Sequence, residues 1–183
     1  TRESYPVLDL EGLANHRGSA FGAVGLGDQP TQKMFEALLW QRLEQLRHKK
    51  YLLTEGESKR IGRLVIPGRL HQAMLAGTSI WIDAPIDYRV EIIMQDYPAR
   101  DSMADAFAPS ILALKDRLGK KTVAGLIELL QQRKWPELIE RLLVDYYDPL
   151  YLHTMPDNAL RLKIENLTDG VDKLKKAISG LLA

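Results

Sequence analysis

The chain has 183 residues, 45% hydrophobic and 27% charged, with a net charge of +1 and no cysteine. That length suits one domain with a sizeable core, and the near-zero net charge gives no global attraction to nucleic acid or membrane, so any such contact needs a local basic patch. The lack of cysteine excludes disulfides, Cys-ligated zinc, iron–sulfur clusters and thiol catalysis within these residues.

Tyr5 to Leu10 reads as a short buried strand ending in an acid. A polar, glycine-rich loop follows from Glu11 to Gly22 and runs on through Pro30. From Thr31, a suitable helix cap, Met34, Phe35, Leu38, Leu39, Leu43 and Leu46 recur at three- and four-residue steps and predict an amphipathic helix. Tyr51 to Glu55 reads as a second strand with GESKRIG as its exit loop. Pro67 opens a helix through Ala76 that Gly77 ends, and Ser79 to Asp83 is a third strand.

Pro85 to about Tyr147 reads as mainly helical, with breaks near Pro98, Gly119 and Pro136. Leu160 to Glu165 alternates apolar and charged residues, the signature of a half-exposed strand. Thr168 or Asp169 then caps a last helix with Val171, Leu174, Ile178 and Leu181 on its apolar stripe. Trp40, Trp81 and Trp135 fall in apolar-patterned segments and are expected in the core. The alternation of strands and helices predicts an α/β fold with a parallel sheet covered by helices on both faces. In such sheets ligands bind beyond the carboxyl ends of the strands, so the three polar loops after strands are expected to gather on one rim. No apolar run reaches the length of a membrane span, and the first residues lack the pattern of a signal peptide, which makes a cytoplasmic protein the expectation.

Phosphate chemistry is the first to test. A Walker A loop needs G-x-x-x-x-G-K-[ST] between a strand and a helix, and the chain has none: GKKT at Gly119 to Thr122 has Leu114 where the upstream glycine belongs. Asp9 and Glu11 follow one strand and Glu55 and Glu57 another. Acids in that position suit either a magnesium ion held with a nucleotide or diphosphate, or a helix cap and ion pairs. His16 and Arg17 lie among glycines that permit close backbone approach, and arginine forks fit phosphate oxygens. Arg60 and Arg89 also follow strands, so Arg17, Arg60 and Arg89 could form an anion site. The basic runs His48 to Lys50, Lys115 to Lys121 and Lys173 to Lys176 read as solvated faces.

The segments DLEGLANHRGSAFG (9–22), QPTQKMFE (29–36), EGESKRIG (55–62) and IPGRLHQAM (66–74) occur in that order, followed by APIDYRVEIIMQDY (84–97) and LLVDYYDPLY (142–151). Together they resemble the tRNA 2-selenouridine synthases, over nearly the whole chain. The resemblance implies a P-loop NTPase-like domain with a helical insertion at about 85–150. It also implies an upstream Walker A strand and a rhodanese domain with a cysteine, neither of which lies in these residues, so a larger parent protein is expected. It implies conversion of the wobble 2-thiouridine of tRNA to 2-selenouridine through an S-geranylated intermediate, with tRNA, geranyl diphosphate and selenophosphate as partners. The site residues it suggests are Asn15, His16, Arg17 and Ser19 on the first loop, with Gln29 and Gln32 beside it. Glu55, Glu57 and Ser58 come from the second strand, and Arg89 from the third. His16, Glu55 and Glu57 would be catalytic, and Arg60 would join Arg17 and Arg89 in neutralising the diphosphate or selenophosphate. Ala104 to Leu118 has the character either of plain core, the favoured reading, or of an apolar surface for the geranyl chain. Two other readings are a nucleotide kinase-like phosphotransferase and a non-catalytic tRNA-docking piece.

Overall fold

The computed structural model describes residues 5–97 and 103–182; the break expected at Pro98 lies outside them. The chain divides into two compact units, Thr1–Gly77 and Thr78–Ala183.

The first unit opens with β1 (Val7–Leu8), which pairs in parallel with β2 (Leu53–Thr54). Between them lie α1 (Leu10–Ala14) and α2 (Gln32–Leu46). α2 starts where the sequence indicates: Thr31 is extended, and its hydroxyl accepts the Met34 N–H at 3.2 Å. Phe35, Leu39 and Leu46 are its buried positions. β3 (Arg60–Ile61) and β4 (Leu64–Val65) form an antiparallel hairpin within the expected exit loop. Its two-residue turn begins with Gly62 at φ +57°, a conformation suited to glycine. α3 (Gly68–Ala76) follows Pro67 and ends at Gly77. The core joins Leu8, Leu10 and Ala14 to Phe35, Leu39, Ile61, Leu64 and Ile66, with Leu70 and Met74 of α3 packed on it.

The second unit begins with β5 (Ile80–Asp83), which pairs in parallel with β6 (Leu160–Lys163). Between them run α4 (Ile86–Asp96), α5 (Ala104–Ala113), α6 (Lys115–Gln131), α7 (Trp135–Leu142), a π-helical turn (Leu143–Tyr147) and α8 (Asp148–Thr154). Gly119, non-helical at φ +78° and ψ 162°, breaks α6 into two helical stretches at a kink, as the sequence indicates, and Pro136 sits in the first turn of α7, where a missing N–H costs nothing. Phe107 meets Trp135 edge to face at 5.3 Å. α9 (Leu167–Leu182) closes the unit. Its first turn is capped by Asn166, whose side chain accepts the Asp169 N–H at 3.0 Å, so neither Thr168 nor Asp169 is the cap. Lys173 ties α9 to β6 by donating to Lys163 O at 2.7 Å.

The chain is thus mixed α/β with parallel pairing, as the alternation of elements predicts. The strands pair two by two rather than running side by side in one sheet. Three apolar assignments also differ from expectation: Met34, Trp40 (68%) and Leu181 are exposed, while Trp135 is buried. Among the described residues no helix is long and apolar enough to cross a membrane.

Phe35 is fully buried at the centre of the first core. Phe35→Ala should lower unfolding free energy by about 3–5 kcal/mol, read as a shift in urea midpoint. A loss within the range of surface substitutions would show that this core is not assembled as described.

Candidate functional site

Where β1 and β2 end, their exits meet through carboxylates. α1 has only five residues, too few to be stable alone. Asp9 caps it, accepting the Gly12 N–H at 2.7 Å. Glu55, just past β2, adds a second acceptor from the other strand: its carboxylate receives the Leu10 N–H at 3.0 Å and, more loosely, the Glu11 N–H at 3.5 Å. A negative group at a helix N-terminus is favoured by the backbone dipoles.

The Glu11 and Glu57 carboxyls come together across the two loops, both Oε1 atoms lying against Gly18. Gly18 packs against both, so a methyl group there would overlap their Oε1 atoms, and its φ of +61° further favours glycine. Burial, hydrogen bonding to Glu11 and the neighbouring Glu11 and Glu55 charges push the Glu57 carboxyl up to about 7. Burial also raises Glu11, with Glu55 and Asp9 adding to the shift and Arg17 opposing it. One proton therefore serves two carboxyls near neutral pH.

The loop after α1 is organised around His16. Asn15 takes the left-handed conformation that ends α1, and its amide donates to Gly27 O at 3.0 Å and Asp28 O at 3.2 Å. His16 is 8% exposed, the one buried polar residue among those described. Its ring lies between Gly22 and Gly62, where any side chain would collide with it. Nδ1 accepts the Gly18 N–H at 3.1 Å, so the neutral ring carries its proton on Nε2. Burial first, and Arg17 second, lower the His16 pKa. Arg17 donates to Val24 O at 2.9 Å, and Ser19 Oγ accepts the Phe21 N–H at 3.2 Å.

The remaining predicted residues divide clearly. Gln29 donates to Ala14 O and Ile61 O and accepts the Arg63 N–H at 2.9 Å, tying α1 to the hairpin. Gln32 pairs with both backbone groups of Val65, extending β4 as a strand would. Both amides are therefore tied to backbone. Ser58 hydrogen-bonds the Arg60 backbone, and the Arg60 side chain is exposed. Arg89 belongs to the second unit and forms a two-pronged ion pair with Asp148. Met103 is half-buried and Phe107, Ile111 and Leu114 are buried, so that segment is core, the favoured of its two readings, and not an apolar cleft. An apolar groove of about 550 Å³ lies instead between α2 and α3, lined by Leu39, Trp40, Leu43, Pro67 and Leu70 with Glu36 and Arg69.

Among the described residues no three His, Asp or Glu side chains form a set that could hold a metal ion. Sequence reasoning placed Glu11 only among strand-end acids; its pairing with Glu57 was signalled by acids at matching positions after two strands.

With this geometry in place, similarity to known proteins is decisive. The tRNA 2-selenouridine synthase AAA domain family matches residues 2–178. The chain belongs to that family. Proteins named tRNA 2-selenouridine synthase from Nitrosomonas eutropha, Pseudomonas syringae pv. tomato and Shewanella frigidimarina are 32%, 33% and 34% identical to it. The alignments cover 84%, 85% and 81% of this chain and 51%, 50% and 48% of those relatives. The chain thus spans about half the length of the curated relatives it matches. No solved structure matches it.

The carboxyl pair has a pH signature. The folded Glu57 pKa of about 7 lies above its ordinary 4.5, so its stabilising effect is complete below the lower value and lost as pH rises through the upper. His16, with a lowered pKa, acts oppositely, its contribution fading as pH falls below its ordinary 6.5. His16 is common to the parent and a Glu57→Gln variant, so their difference isolates Glu57. Relative to Glu57→Gln, parent stability should fall by about 0.5 kcal/mol from about pH 6.5 to 8 after allowance for solvent screening. Parallel curves for the two proteins would refute the shared proton.

Proposed function

We propose that this chain is the C-terminal part of an enzyme that converts the wobble 2-thiouridine of tRNA to 2-selenouridine, and that the His16 loop forms one wall of its anion site. Family membership supports the overall reaction, and the half-length coverage of the relatives supports an adjoining rhodanese domain and P-loop strand in the parent protein. The observation that carries the site is His16 itself. Its ring is fixed between two glycines, its Nδ1 is committed to Gly18, and its Nε2–H makes no hydrogen bond to a described residue. A donor held so firmly suits an oxygen on which negative charge develops.

In this reading the thiouridine sulfur attacks the first carbon of geranyl diphosphate, and the diphosphate leaves with the electron pair of the broken C–O bond. Arg17, half-buried beside His16, and the Nε2–H offset the released charge. Alkylation turns sulfur into a better leaving group: the selenium of selenophosphate bonds to C2, the C–S bond breaks and geranylthiol leaves with a proton, and water then cleaves the Se–P bond to release phosphate. The protonated Glu57–Glu11 pair carries one negative charge instead of two, which lessens repulsion of an incoming anion. The groove between α2 and α3 is the apolar surface in this unit best suited to a prenyl chain. The protein acts in the cytoplasm, where its tRNA substrate is made.

His16→Ala in the full-length enzyme, incubated with thiolated tRNA, geranyl diphosphate and selenophosphate, should reduce selenouridine by about 100-fold or more in nucleoside mass spectrometry. Parent-level selenouridine would reject His16 as a substrate contact, and a parent enzyme that yields none would reject the reaction.

A further inference from the structure

Seven residues of α6, Lys115 to Lys121, are strongly basic. Lys115, Arg117, Lys120 and Lys121 supply four cations against one acid, Asp116, a net +3 in a chain whose net charge is +1. All four are exposed, and among the described residues none of them is in an ion pair. The Gly119 kink divides them, two before the bend and two after it. Solvated helical segments ordinarily mix the signs more evenly; in this one cations outnumber acids four to one.

A second observation gives the patch its chemistry. Arg117 lies over the ring of Tyr146, 5.9 Å from its centroid. Tyr146 meets Tyr147 edge to face at 4.8 Å, and Tyr147 stacks on Tyr151 at 5.9 Å with 18° between the rings. Tyr151, at the far end of the run, is 45% exposed. The acids flanking the ladder are already neutralised, Asp145 by Arg141 and Asp148 by Arg89. A guanidinium leads from a cationic helix onto a run of aromatic rings, and nearby carboxylates do not cancel the field.

We propose that α6, the π-helical turn and α8 form a docking surface for single-stranded RNA, with Lys115, Lys120 and Lys121 on phosphates and the tyrosine ladder beneath the bases. Charge complementarity selects a polyanion, and the rings select one with unstacked bases over a duplex or an acidic protein. The proposal rests on the tRNA-modifying reading for its substrate and assigns that RNA a surface in the second unit.

The test is fluorescence anisotropy of the full chain with a labelled stem–loop RNA and a blunt duplex of equal length, over a salt series. Lys120→Glu/Lys121→Glu should weaken stem–loop binding by about tenfold or more at low salt and reduce the log–log salt slope by about 1.4, two phosphate contacts at ~0.7 each. Tyr151→Ala should weaken stem–loop binding by about fivefold or more, leaving the slope and duplex binding unchanged. Circular dichroism confirms folding; both substitutions are at exposed positions. Parent-like binding by the folded charge variant would overturn the proposal, as would equal loss of both RNAs on removing Tyr151 or equally tight binding of polyglutamate. Selenouridine formation separates the two readings: an active full-length enzyme whose variants bind RNA as the parent does defeats this surface alone. Variants that behave as stated, with no selenouridine from the parent enzyme, support the surface and defeat the reaction.

Discussion

Glu55 follows β2 directly, and its carboxylate accepts backbone N–H groups at the start of α1, on the other strand's exit. The β1–β2 pairing itself is only two residues long on each side, so it supplies few hydrogen bonds to fix the chain beyond either strand. The carboxylate provides the missing constraint. It completes the cap of a helix too short to persist alone and seats Leu10 and Ala14 in the core. It also sets Glu11 on the side of α1 where Glu57 can reach it. From α1 the chain turns through Asn15 into the His16 loop, so the position of the imidazole depends on the same contact.

The loop is consequently much less free than its glycines suggest. Gly18 is present because two carboxyls press against it, and Gly22 and Gly62 because the His16 ring lies between them. These glycines make room for side chains of their own unit, and the result is a donor whose direction is set before any ligand arrives. Preorganisation of that kind is what stabilisation of developing charge requires. Against Gly18, burial and the neighbouring carboxylates raise the Glu57 carboxyl to about 7, so its charge changes near neutral pH.

Elements whose causes are local were legible in the sequence. Thr31 caps α2 as its residue type and position indicate, Pro67 and Gly77 bracket α3, and the alternation in Leu160–Lys163 is a strand. Contacts made across many residues were not. Gln29 and Gln32 look like ligand groups beside a glycine-rich loop, yet their amides satisfy backbone more than thirty positions away, at Ile61 and Val65. The β3–β4 hairpin hid because each strand is two residues long, too short to display alternation; Gly62 at the turn was its one sign. Trp40 followed the apolar period of α2 but lies on the rim of a groove. Of the candidate site, His16, Glu55 and Glu57 are brought together on one unit, whereas Arg89 serves an ion pair in the other.

The account turns on two strand exits joined by a proton held between carboxyls. Carbon-detected NMR titration of the glutamate side chains measures it directly. The account predicts a Glu57 carboxyl midpoint of about 7, with the Glu11 carboxyl carbon responding in the same step. Separate titrations of both residues at the ordinary glutamate value of about 4.3 would contradict it.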